Sequence, residues 1–187
     1  MGFWNIFKGD KTQKQSLSSP LFFHEDDFCQ VELLPKENLN FIKLQCNQIE
    51  SSSEKNFDGT GYKEIFIRNE NPIGLSTISI QKNELENFLL ELHLPRASEV
   101  LTGYGQDYRI QSLDTIGFGS DYVAVYFRFQ EDTVKKIWFT QIWNIEREKL
   151  VHFLNKVGLK WNLLLVDWEA ATFVDLSDEQ AITKYLN

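Results

Sequence analysis

YVAVYFRFQEDTVKKIWFTQIW, residues 122–143, reads as strand, turn, strand, and the rest of the chain is organised around it. Val123, Val125, Phe127 and Phe129 alternate with Tyr122, Ala124, Tyr126 and Arg128. After Gln130, Glu131, Asp132 and Thr133 the pattern resumes through Ile137, Trp138, Phe139, Ile142 and Trp143. A period of two with a polar break between the runs predicts a β-hairpin. Both faces of each arm carry large apolar groups, so the hairpin is expected in mid-sheet with material packed on either side.

Around it lie 187 residues, 42% hydrophobic and 14% aromatic, enough for one sizeable core and too aromatic for a disordered chain. No apolar run is long enough to span a bilayer, and Ile6 stands where a myristoylation signal needs Ser or Thr, so no membrane association is expected. Residues 1–20 read as a flexible arm with a small aromatic patch, and residues 21–187 as a single domain. Cys29 and Cys46 lack the spacing of a zinc or redox pair and are expected as buried thiols in a reducing cytoplasm. The net charge is −8; the first fifteen residues carry +2 through Lys8, Lys11 and Lys14 against Asp10, leaving −10 on the body. An acidic body repels phosphate backbones and favours basic partners, which argues against nucleic-acid binding.

Outward from the hairpin, a first strand is expected at residues 28–34, with Cys29, Val31 and Leu33 on one face. A helix follows, carrying Leu39, Ile42, Cys46 and Ile49, and then a mobile loop over residues 50–61. Residues 64–68 and 73–80 read as a second hairpin, and Leu85, Phe88, Leu89 and Leu92 as one face of a helix that Pro95 ends. A strand at 108–116 leads into the central hairpin. Asn144 is expected to cap a helix with Leu150, Phe153, Leu154 and Val157, closed by Gly158. Strands at 161–168 and 173–176 precede a last helix, with Ser177 and Gln180 as its capping box. Clustered strands punctuated by helices predict an α+β fold: a largely antiparallel central sheet with about four helices packed on it.

Gly103-Tyr104-Gly105-Gln106-Asp107-Tyr108 recurs as Gly117-Phe118-Gly119-Ser120-Asp121-Tyr122. Each copy resembles the start of a dinucleotide fingerprint, but a strand follows where the phosphate-binding helix should open, so paired turn signals are the simpler reading. With a strand between them, the copies are expected at opposite ends of it and not in one site. His24, His93 and His152 are scattered, and His24 with Glu25, Asp26 and Asp27 reads as a solvated acidic loop. Asp167 and Glu169, two apart on an expected strand, offer a carboxylate pair. No Walker loop, kinase signature or nucleophile elbow is present, so no cofactor, metal or catalytic set is assigned.

An acidic, aromatic-rich single domain without a catalytic constellation resembles the immunity proteins of bacterial polymorphic toxin systems, including contact-dependent inhibition. FFHEDDFCQVELL (residues 22–34) and LLLVDWEAATFVDLSDEQAITKYL (residues 163–186) add to the likeness, which is one of type. The resemblance implies a protein that blocks the active site of one cognate toxin domain, often a nuclease. Under that reading the toxin-binding residues are expected on the Gly-flexed loops: Phe118, Ser120 and Asp121 at one end of the sheet, Tyr104 and Asp107 at the other. A small hydrolase built on Asp167, Glu169 and a histidine brought in by the fold, or a non-catalytic adaptor, are the alternatives.

Overall fold

The computed structural model describes residues 18–61, 63–64, 66–105 and 107–187. In chain order its elements are β1 (Leu21–His24), β2 (Val31–Pro35), α1 (Leu39–Asn56), α2 (Lys82–Leu89), β3 (Val100–Gly105), β4 (Tyr108–Gln111) and β5 (Thr115–Ser120). They continue through β6 (Val123–Gln130), β7 (Thr133–Thr140), α3 (Arg147–Trp161), β8 (Leu163–Asp167), β9 (Thr172–Asp175) and α4 (Glu179–Tyr185). β6 and β7 are the expected hairpin, and they lie inside a six-stranded antiparallel sheet of order β5-β6-β7-β2-β8-β9. A smaller sheet, β1-β3-β4, pairs β1 and β3 in parallel. The fold is α+β.

The hairpin's alternation sorts its side chains between two cores. Val125, Phe127, Ile137 and Phe139 enter the main core with Leu85 and Leu89 of α2 and Leu150, Phe153, Leu154 and Val157 of α3. Ala124, Tyr126 and Trp138 point the other way and are covered by Leu21, Phe23 and Val100 of the small sheet. There Trp138 stacks on Tyr126 with centroids 5.3 Å apart and takes the edge of Phe23 at 5.2 Å. Truncating a ring buried this way to alanine costs ~3–5 kcal/mol. Farther along the same face, Ile42 and Cys46 of α1 pack on Leu34, Leu164, Val166 and Trp168.

Among the described residues, the second hairpin expected over 64–68 and 73–80 is absent. Residues 66–74 run without regular structure into a 3-10 helix at Leu75–Thr77. Ile67 is 84% exposed, and Leu75 and Ile80, the buried apolar positions, are five apart, which no period-two strand satisfies. Buried side chains hold the segment in place of a ladder. Asn38 donates to the Ile73 carbonyl at 2.8 Å and accepts from its N–H at 3.1 Å, and Gln45 Oε1 accepts from Asn69 N at 3.0 Å. Buried polar groups need such partners, and here they replace strand pairing.

Other boundaries shift for local reasons. The expected strand at 108–116 is two strands in different sheets, β4 and β5, broken at residues 112–114. β1 and β3 arise where no strand was expected, and β2 begins only at Val31 because Cys29 takes a left-handed φ of 56° in the preceding turn. α1 runs on through residues 50–56 of the expected loop. β7 stops at Thr140; Gln141, at φ 48°, turns the chain into a 3-10 helix, Ile142–Asn144. Asn144 does not cap α3, which follows Glu146, and Gly158 lies inside that helix, where a Cβ would overlap Leu176. Asp178, not Ser177, caps α4, accepting from Gln180 N at 3.0 Å and Ala181 N at 3.1 Å. The aromatic patch of the expected arm lies outside the described residues; at its inner end Ser18 N donates to the Arg96 carbonyl at 2.8 Å.

Candidate acidic and aromatic interface

Four connections meet beside one end of the six-stranded sheet. They are the Glu25–Asp27 3-10 turn after β1, the Asp121-Tyr122 turn between β5 and β6, the segment leaving β7, and the turn between β8 and β9. Between them lies a crevice of about 120 Å³ lined by Phe22, Asp27, Tyr122, Thr140, Trp143 and Glu169, among others. Tyr122 is 69% exposed and Trp143 50%.

Each wall is held from behind. His24 Nδ1 accepts from Asp26 N at 3.2 Å, and Gln30 donates to the Asp26 carbonyl at 2.8 Å, which fixes the turn that carries Asp27. The turn to Trp143 begins at the left-handed Gln141, and the Trp143 ring lies 6.1 Å from that of Tyr185. Tyr185 in turn donates its hydroxyl to Asp167 Oδ2 at 2.8 Å, while Asp167 Oδ1 accepts from Ala170 N at 2.9 Å. Burial, reinforced by Asp167, pushes the Tyr185 phenol well above its ordinary range, so it stays a donor. The buried Asp167 thus braces both Trp143, through Tyr185, and the turn that carries Glu169.

That arrangement bears on the carboxylate pair. Asp167 is buried with both oxygens engaged, and Glu169 is exposed in a turn and not on the strand, so the two do not share a strand face. Of the residues expected on the Gly-flexed loops, Phe118 is 0% exposed in the main core, and its ring is not available as an anchor. Ser120 and Asp121 are exposed immediately before Tyr122, with Asp121 at a left-handed φ of 52°. Tyr104 and Asp107 are exposed at the β3–β4 turn.

The two sequence copies do not cap opposite ends of one strand. Tyr104 sets its ring 5.8 Å from His24, and the Glu25 carboxylate, hydrogen-bonded to its hydroxyl, pushes that phenol up. Glu25 opens the same short turn whose last residue, Asp27, enters the crevice beside Tyr122, so the copies flank a single acidic turn. Their shared glycines also have one purpose. Gly103 (φ 150°) and Gly119 (φ 152°) let the returning strand pass at a distance where a Cβ would overlap the carbonyl oxygens of Tyr108 and Val123. Because Gly117–Ser120 lies within β5 and Gly103–Gly105 within β3, no helix N-terminus stands ready for a phosphate.

A second carboxylate lies under α1's side of the sheet. Glu32, 1% exposed, accepts from the Trp168 indole at 2.9 Å and sits 3.6 Å from Arg68, whose guanidinium lies 4.4 Å over the Trp168 ring. Cys29 adjoins it; burial, then the Glu32 charge, pushes that thiol up, and Cys46 is raised likewise by burial and then Glu50. Both cysteines are free, buried and held as thiols, which are poor nucleophiles. Among the described residues no three His, Cys, Asp or Glu side chains are grouped to hold a metal ion, and no helix is long and apolar enough to cross a membrane. His93 and His152 are exposed, and His152 lies 3.9 Å from Glu91.

In comparisons with known proteins, no family model, no curated protein and no solved structure matched the chain.

Proposed function

We propose that the protein is an immunity-type inhibitor that binds a basic toxin domain through its acidic and aromatic end and acts in the cytoplasm by occupancy, not turnover. The observation that supports this most is the crevice. Asp27 and Glu169 stand with Phe22, Tyr122 and Trp143, and among the described residues no lysine, arginine or histidine lines it. The Arg109 guanidinium covers the Phe22 ring at 4.5 Å, but among the described residues no ion pair reaches Asp27 or Glu169, and carboxylates so placed beside the exposed Tyr122 and Trp143 rings suit a partner that supplies the positive charge. The rings provide the rigid anchors on which binding energy concentrates, and the acids speed encounter and select against acidic partners. Ser120, Asp121, Tyr104 and Asp107 surround this end and extend the surface; Tyr122 and Trp143 take the anchoring role expected of Phe118. An acidic face also mimics the charge of nucleic acid, which fits a nuclease as the toxin.

The test is co-expression with the toxin gene expected immediately upstream of the gene for this chain. Cells that make both proteins should grow, and cells that make the toxin alone should die. Death in both cases contradicts the reading.

A further inference from the structure

Resting on this end as the binding surface, we infer that the crevice between Tyr122 and Trp143 receives one arginine side chain of the partner. Size narrows the choice first. About 120 Å³ holds the end of a side chain, whereas sites for nucleotides and other small molecules run to roughly 300–1,000 Å³. Charge narrows it next, since Asp27 and Glu169 repel an anion and would be stranded against a neutral apolar group.

The remaining distinction is between arginine and lysine. Of the aromatics that line it, Phe139 is buried and Phe22 already carries the Arg109 guanidinium 4.5 Å over its ring, which leaves Tyr122 and Trp143 exposed; a guanidinium stacks on such faces, as Arg109 does on Phe22, while keeping its edge N–H groups for carboxylates. A lysine ammonium is a compact, strongly hydrated charge that gains less from the rings. Guanidinium carries five N–H donors, enough for Asp27 and Glu169 at once. The support behind the walls, with Asp167 bracing both Trp143 and the Glu169 turn, gives the pre-organisation that such a clamp needs.

The full chain, labelled with ¹⁵N, is titrated with N-acetyl-L-arginine amide, and the Trp143 indole N–H, assigned with Trp143→Phe, is followed by NMR. Saturable shifts centred on Trp143 are expected, with affinity at least about fivefold weaker for the citrulline and lysine analogues. The Asp27→Asn/Glu169→Gln double variant should bind at least about fivefold more weakly while its spectrum remains folded. Equal binding of citrulline, tighter binding of lysine, shifts centred elsewhere, an unaffected double variant, or no saturation by about 100 mM each overturns the assignment. The titration contains no toxin, so it can fail while co-expression still protects, and the reverse.

Discussion

Two tryptophans in this chain stand beside carboxylates, with opposite consequences. Trp168 gives its indole N–H to Glu32 at 2.9 Å, and Arg68 lies over its ring, so ring, acid and cation are all supplied from within, with only the Arg68 side chain partly exposed. Trp143 stands half-exposed in the crevice that Asp27 and Glu169 also line, with no lysine, arginine or histidine lining it among the described residues. The first arrangement has its countercharge from the fold itself; it ties the irregular 66–74 segment to the sheet. The second is the surface that the proposed function assigns to a partner. A carboxylate beside an aromatic ring therefore carries no function by itself, and what decides is whether the fold supplies the countercharge.

Stability measurements should separate the two most widely. Glu32→Ala removes the acceptor of the Trp168 indole and the counter-ion of Arg68, which keeps only the Cys29 carbonyl at 3.4 Å, and should cost ~3–5 kcal/mol in urea denaturation. Glu169→Gln, at an exposed turn, should stay within about 0.5 kcal/mol of the parent. Comparable losses would erase the distinction. A smaller effect is expected from Gly119→Ala, which forces a side chain onto a φ of 152° against the Val123 carbonyl and should cost ~1–3 kcal/mol. Because that strain lies two residues from Asp121, the proposed function expects binding to the toxin to fall by more than the stability loss explains.

Cysteine labelling probes the closed side alone. Cys29 and Cys46 are buried and held as thiols, so native protein should label only as fast as it opens, and Glu32→Ala should expose Cys29 first. Rapid labelling of both in the parent would show that this side is not closed.

The least effect belongs to Lys36 and Asp175, an internal pair at the surface, 2.6 Å apart. Burial raises the Asp175 carboxyl, but the hydrogen bonds from Lys36 and Ser177 outweigh it and hold the group below its ordinary range. A depressed carboxyl stabilises the fold above its unfolded value of about 3.9 and loses that contribution as pH falls through the folded value. Solvent screening limits the loss to under ~1 kcal/mol, read as a shallower acid limb in Lys36→Met.

Elements whose own residues determine them were legible in the sequence. The hairpin's alternation, the α2 stripe of Leu85 and Leu89 and the α1 stripe of Ile42 and Cys46 all appear where periodicity put them. Residues 64–80 were misread because apolar spacing there resembles a strand while Asn38, Gln45 and Glu32, distant in sequence, supply the contacts. The crevice was illegible for the same reason: its walls come from residues 22, 27, 122, 140, 143 and 169, and only the fold brings them together. Phe118 was a reasonable anchor on a Gly-flexed loop, but that segment is a strand whose inward side is the main core. Asp121 and Tyr122, directly after it, form the exposed turn.

The central claim is tested most directly by the association rate of this protein with the toxin domain that the proposed function expects the neighbouring gene to encode, measured by stopped-flow across a range of salt concentrations. Fast association that slows steeply with salt is expected, together with a loss of ~1–3 kcal/mol in affinity for Asp121→Lys and a larger loss for Trp143→Ala, both folded. Binding that is indifferent to salt and unchanged in both variants would contradict the assignment of this end as the binding surface.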